Sequence, residues 1–171
     1  MNDNNQIQFS YSPFTLWFHS VVKILMVSIF VIVLCLVDKQ PLGFIFAITI
    51  GLVSVRSIQQ IFRNLQRSIN NQPAVTLTDQ YFINHMNNTK IHWKNIDKVE
   101  RASASGYDII KLVLRNRKIY AEQIKEPIDK LFYFLEPKGK SVRVPIYYIK
   151  DKEDKIYNVV NDIFVKKKNY Y

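Results

Sequence analysis

The sequence predicts an α+β membrane protein, in which an N-terminal transmembrane helical hairpin precedes a seven-stranded antiparallel barrel capped by a C-terminal helix. Three observations predict it. Two apolar runs, 24–37 and 41–55, are separated only by Asp38-Lys39-Gln40. From Ala74 onward the apolar periodicity changes from helical spacing to alternation. The chain then closes on an amphipathic stretch that opens with acids and ends in lysines.

The first run carries no charge between Ile24 and Val37, with Ser28 and Cys35 its most polar members. At about 1.5 Å per residue it spans roughly 21 Å, short of a hydrocarbon core of about 30 Å. Extended back to Phe14 it becomes long enough, and Lys23 and His19 fall toward one interface, where a lysine can snorkel. The second run reaches Ile58 with one charge, Arg56, near its end. A buried helical hairpin in a soluble protein would need far more covering surface than the rest of the chain offers. A signal peptide would carry basic residues before the run, and none lies among the thirteen residues before Phe14; a second apolar run also follows at once. Gly43, Ala47 and Gly51 recur at intervals of four and give the second helix a small face for close packing. Ser28 and Cys35 offer a matching face, so the stripe serves either the hairpin itself or a homodimer.

The chain has 171 residues, a net charge of +10, few glycines and a single cysteine, Cys35. An intrachain disulfide and a cysteine-rich metal site are thereby excluded. Before Arg56 the charges cancel, Lys23 and Lys39 against Asp3 and Asp38, so all of the excess follows the hairpin. By the positive-inside tendency the basic region and both termini are expected on the cytoplasmic side, with the inter-helix turn on the other. Such a basic domain is drawn toward anionic phospholipid. No nucleic-acid-binding motif accompanies the charge, so no nucleic-acid partner is expected.

In order, residues 1–13 read as a polar arm in which Ile7, Phe9 and Tyr11 alternate with polar residues, and Pro13 starts the first helix. Residues 14–58 form the hairpin, with helices at 14–37 and 41–58. Residues 59–72 continue as a juxtamembrane amphipathic helix: Ile58, Ile61, Phe62, Leu65 and Ile69 share one face and Arg56, Arg63 and Arg67 the other, up to Asn70-Asn71-Gln72-Pro73. Its apolar stripe would lie on lipid or on the following domain. Residues 73–171 form a cytoplasmic domain with strands at 74–78, 81–86, 89–93, 96–104, 108–115, 118–122 and 141–147. The fifth and sixth are read as a hairpin over Asn116-Arg117. A short helix follows Pro127, and the last helix, from Asp151, buries Ile156, Val159, Val160, Ile163 and Phe164, with Lys166, Lys167 and Lys168 past its end.

Seven strands and a closing helix are the pattern of a pleckstrin-homology-like (PH-like) domain. The order of arm, hairpin, "PAVTLTDQYF", "KIHWKNIDKVE", basic hairpin and final strand and helix resembles a family of small bacterial membrane proteins that join a two-helix hairpin to a bacterial PH-like domain. The most specific part is Ile91-His92-Trp93-Lys94-Asn95-Ile96, which is similar to the family's recurring hydrophobic-x-Trp-x-x-Ile signature. The resemblance implies the fold and no established activity. It also implies one alternative role, that of an immunity protein neutralising a toxin from a competing bacterium.

Chemistry is scarce. There is no glycine-rich phosphate loop and no nucleophile elbow. His19, His85 and His92 lack ligand spacing, so neither a metal nor another cofactor is expected. Ser103-Ala104-Ser105-Gly106 reads as a turn, and Pro127 interrupts the pair Glu122 and Glu126, so no catalytic residue is expected. The candidate surface is electrostatic: Arg115, Arg117 and Lys118 at a hairpin tip, Lys138 and Lys140 at a turn, and Lys166, Lys167 and Lys168 after the last helix, together with Arg56, Arg63 and Arg67. The turn at Asp79-Gln80 carries no basic cluster, which speaks against an inositol-phosphate site. The expected role is non-enzymatic binding of a protein partner or anionic headgroups at the membrane. A membrane enzyme or transport accessory that needs a partner remains the other class.

Overall fold

The computed structural model describes residues 6–37, 58–104, 106–124, 130 and 141–169. The second apolar run, with Gly43, Ala47, Gly51 and Arg56, and the turn with Lys138 and Lys140 lie outside the described residues. The helix expected after Pro127 lies there too, apart from Lys130. The chain divides into two compact units, one of Ser12–Asn71 and the other of Met1–Tyr11 with Gln72–Tyr171.

In the first unit, α1 spans Pro13–Val37. Proline suits the first helical turn because its missing N–H would have no intrahelical partner there. Ser12 accepts from the Leu16 N–H at 3.0 Å through its carbonyl, and its hydroxyl lies 2.8 Å from that of Thr15. Residues 13–33 are long and apolar enough to cross a membrane, and only 11% of their most apolar window is buried. That low burial is unlike a core helix, and Phe14, Trp17, Met26 and Ile29 are all exposed. Two hydroxyls in this helix are satisfied by its own backbone: Ser20 Oγ donates to the Leu16 carbonyl and Ser28 Oγ to that of Ile24. Back-bonding of this kind lets a serine sit where no water is present. Among the described residues this is the one helix that passes as a span.

Residues 58–69 form α2, in agreement with the helical spacing there. Asn71 ends it in the left-handed region at φ 54°, a conformation asparagine tolerates better than most residues, and its N–H donates to the Ser68 carbonyl. Phe62 and Ile69 are exposed while Asn64 is buried, so the apolar stripe is not simply the covered face.

The second unit is α+β, with two antiparallel sheets. The first has the order β1-β2-β3-β4, from Ile7–Ser10, Pro73–Leu77, Tyr81–Asn84 and Thr89–His92. The second has the order β5-β6-β7, from Ile96–Ala104, Tyr107–Leu114 and Ser141–Pro145. The polar arm, whose alternation of Ile7, Phe9 and Tyr11 suits an extended piece, thus supplies an edge strand. Gln8 pairs with Thr76 and Phe9 with Val75, and the ring of Phe9 is buried. The expected closed barrel is instead two sheets. The end of β1 is tied to the segment after β7 by the bridge from Tyr11 to Ile149 and the bond from the Lys150 N–H to the Ser10 carbonyl.

The expected strand at 118–122 is corrected to a helix, α3, Arg117–Ala121. The Asn116 side chain accepts from the Lys118 N–H at 3.0 Å and caps it, and the Glu122 N–H donates to the Lys118 carbonyl at 3.0 Å, the i to i−4 bond of a helix. β6 pairs with β5 and β7 rather than with that stretch. Strand β7 ends at Pro145 in a 3₁₀ turn, Ile146–Tyr148. The last helix, α4, spans Glu153–Lys168. Asp151 lies before it and pairs with Lys155, and the three lysines occupy its last turn rather than following it. Ile156, Val160 and Phe164 are its buried stripe, with Val159 and Ile163 half-buried. They join Leu77, Phe82, Trp93, Ile110, Leu112 and Val144 in the core.

Candidate functional site

Three elements of the sheet unit run between the same two ends. At one end the chain leaves for residues 12–71: Ser10 faces Pro73, Tyr11 bridges Ile149, and α4 begins four residues later. At the other end β2 turns at Asp79-Gln80, β6 finishes at Leu114, and α4 finishes at Lys168. Ion pairs fix α4 at both: Asp154 meets Arg101, and Lys167 meets Asp79 at 2.9 Å. Those two positions are separated by roughly 20 Å of helix at about 1.5 Å per residue.

The far end is built around a 3₁₀ turn, Trp93–Asn95. His92 Nδ1 accepts from the Lys94 N–H and caps the turn, and burial, then the adjacent Lys94 charge, holds the imidazole below its ordinary pKa. The Trp93 ring is buried against the edge of Phe82, 6.0 Å between centroids, and its Nε1 donates to the Thr78 carbonyl at 2.8 Å. Its backbone N–H donates to the Gln80 carbonyl at 3.0 Å. Trp93 is therefore a core residue that holds the β2–β3 turn, not a surface contact.

Asn95 ties this turn to the end of β6. Its side chain donates to the Asn116 carbonyl and accepts from the Asn116 N–H, while its own carbonyl accepts from Arg115 at 2.8 Å. Since α4 also packs on the 93–95 turn, two clusters that are distant in sequence reach the same end of the unit. These are Arg115, Arg117 and Lys118 on one side and Lys166, Lys167 and Lys168 on the other. Lys94, exposed between them, was not singled out in the sequence; its place next to the tryptophan signature was the available signal. Arg115 pairs with Asp97 at 3.8 Å, and the Lys168 ammonium sits 5.6 Å from the Phe164 ring centroid. Lys118 and Lys166 are exposed. Arg63 is exposed and Arg67 half-buried on α2, in the other unit.

The exit end is different in kind. Tyr107, Tyr147 and Tyr148 form a ring cluster, with centroids 4.7 Å apart for the first pair and 4.2 Å for the second. Burial raises the Tyr148 phenol above its ordinary pKa. Arg101 bridges Asp108 and Asp154. Burial, then the Asp108 charge beside it, raises the Glu153 carboxyl above the usual carboxylate range. Gly106 turns β5 into β6 at φ 80°.

Among the described residues no group of three or more His, Cys, Asp or Glu is placed to hold a metal ion. His85 Nε2 lies 3.0 Å from the Thr76 hydroxyl, and His92 caps a turn. No family of proteins, no curated protein and no solved structure matches the chain.

Proposed function

We propose that the chain is a membrane-anchored PH-like binding module that acts at the cytoplasmic face of a bacterial inner membrane without catalysing a reaction. Its ligand is a protein partner or the anionic headgroups beside it. The observation that carries this reading is the pairing of β1 with β2 across the apolar segment. Strands hydrogen-bonded to one another occupy the same side of a bilayer. If α1 crosses, the chain must therefore cross back before Pro73, which supports a hairpin rather than a single span or a cleaved leader. Four plus three antiparallel strands followed by a packed C-terminal helix support the PH-like reading of the second unit. The basic excess after the apolar runs supports a cytoplasmic placement.

Two measurements test it together. Alkaline carbonate should leave the full chain in the membrane pellet. Fusions after Lys168 should be active with a reporter that works in the cytoplasm and silent with one that works in the periplasm. Extraction by carbonate, or a periplasmic signal, would overturn the reading.

A further inference from the structure

The short helix α3 lies along the outer edge of the first sheet, and we propose that it is a strap, latched by Gln123, that keeps β4 from pairing with a second copy of the chain. β4 ends the order β1-β2-β3-β4, so no described strand pairs with its outer side. Such an edge offers its backbone groups to any extended segment. Successive residues of a strand aim those groups to alternate sides. Lys90 sits in the middle of this edge, exposed between buried Thr89 and Ile91, and the chain leaves the strand at Trp93.

Gln123 takes both backbone groups of Lys90. Its Oε1 accepts from the Lys90 N–H at 2.8 Å, and its Nε2 donates to the Lys90 carbonyl at 2.8 Å. A carboxamide carries an acceptor and a donor side by side, as a peptide group does. This one side chain therefore makes the pair of bonds that a facing strand residue would make. The same device recurs at the other end of the helix. Asn95 Nδ2 donates to the Asn116 carbonyl at 3.1 Å, and its Oδ1 accepts from the Asn116 N–H at 2.9 Å. The two clasps join 90 to 123 and 95 to 116, so the segment 116–123 runs antiparallel to 90–95.

The lengths agree. The segment 116–123 rises roughly 10 Å at about 1.5 Å per residue. The strand and 3₁₀ turn between Lys90 and Asn95 cover roughly 13 Å at about 3.4 and 2 Å per residue. Buried Tyr120 and Ala121 anchor the helix, and the Gln123 N–H donates to the Tyr120 carbonyl at 3.0 Å, which fixes where the carboxamide starts. A lysine on an edge strand can repel an incoming strand by its charge. The Lys90 ammonium instead lies 3.8 Å from the Tyr81 ring centroid, over its own sheet, which leaves the carboxamide to close the edge. A second copy is the occupant kept out, because every chain would present the same two groups and a strand paired antiparallel with its own copy closes a two-fold dimer. All of these residues belong to the sheet unit, so the strap acts alike wherever that unit lies relative to a bilayer.

The test uses the full chain in detergent micelles. By amide hydrogen exchange the Lys90 N–H should be protected in the unaltered protein, with no strand beyond it. Gln123→Ala should speed that exchange at least tenfold and leave the N–H of Ile91, which faces β3, unchanged. In sedimentation, Gln123→Ala should form a concentration-dependent assembly twice the size of the unaltered chain's. Adding Lys90→Pro should abolish it, since proline removes the outward N–H and is tolerated on a strand edge. Gln123→Glu keeps the acceptor and loses the donor, so it should fall between the unaltered chain and Gln123→Ala in both readouts, and it carries the test where Gln123→Ala melts early.

A Lys90 N–H that exchanges freely in the unaltered chain, or no faster in Gln123→Ala, would overturn the latch. Sedimentation of Gln123→Ala identical to that of the unaltered chain, or an assembly that survives Lys90→Pro, would overturn the role of the strap in keeping copies apart.

Discussion

Phe9 lies in a polar N-terminal arm, yet its ring is only 3% exposed and its backbone is paired with Val75. Phe9→Ala should therefore destabilise a unit whose other strands begin more than sixty residues later. Removing a buried phenylalanine side chain costs about 3–5 kcal/mol, transfer and cavity terms together. A domain of this size has a total stability of about 5–15 kcal/mol, so the loss is a large share. With a urea dependence of about 1–3 kcal/mol per molar, a loss of about 3 kcal/mol lowers the midpoint by roughly 1–3 M. The assay is pulse proteolysis in urea of the full chain in nanodiscs, following the fragment that contains Trp93. Ile7→Ala is the internal comparison, because Ile7 is 42% exposed, and it should cost less than about 1 kcal/mol. A midpoint for Phe9→Ala within the error of the unaltered protein would mean that β1 contributes nothing to the unit, and the topological reasoning built on its pairing would fail with it.

Four further outcomes follow from single substitutions. Trp93→Phe keeps the packing against Phe82 but orphans the Thr78 carbonyl, so it should cost about 1–3 kcal/mol, readable in the same assay. Gly106→Ala should cost about 1 kcal/mol through its φ of 80° alone, since a methyl group there meets nothing within 4 Å. Glu153 has a folded-state pKa raised by burial and by Asp108, so its contribution to stability is fully present below the unfolded value and is lost as pH rises through the folded one. Glu153→Gln should accordingly stabilise the protein at neutral pH and lose that advantage in acid. Glu100 has the opposite sign. Its bonds to Lys98, then Lys111, depress its pKa, so its contribution is present above the unfolded value and vanishes as pH falls through the folded one; Glu100→Gln should be harmful at neutral pH and indifferent in strong acid. Melting temperature against pH for the two variants checks both.

Local pattern carried the sheets well wherever one face is buried. In β3 the buried Phe82 and Asn84 alternate with half-buried residues, and β5 runs over Ile96–Ala104 as read from the sequence, whereas in β2 Ala74, Val75, Thr76 and Leu77 are all buried. It failed at 118–122, because five residues are too few to separate a strand from one and a half turns of helix. The cap at Asn116 was the discriminating signal, and it is visible in the sequence as an asparagine ahead of the segment. The alternation of Ile7, Phe9 and Tyr11 was legible, but its partner was not, since nothing in a strand's own pattern names a mate on the far side of an apolar insert. The basic surface was read in fragments for the same reason. Arg115 and Lys166 come together only through the Asn95 bonds and the packing of α4 on the 93–95 turn, and those depend on strand register.

The placement of β1 also sets an order of events during synthesis. Gln8 leaves the ribosome about seventy residues before Thr76, its partner, a delay of roughly 3–14 s at ordinary elongation rates. Throughout that interval the first strand has no mate, and everything between the two strands, the greasy helix included, is made in the meantime. Its partner is the next strand to appear, so the two ends of the insert can be clasped before any strand from Tyr81 onward has been made.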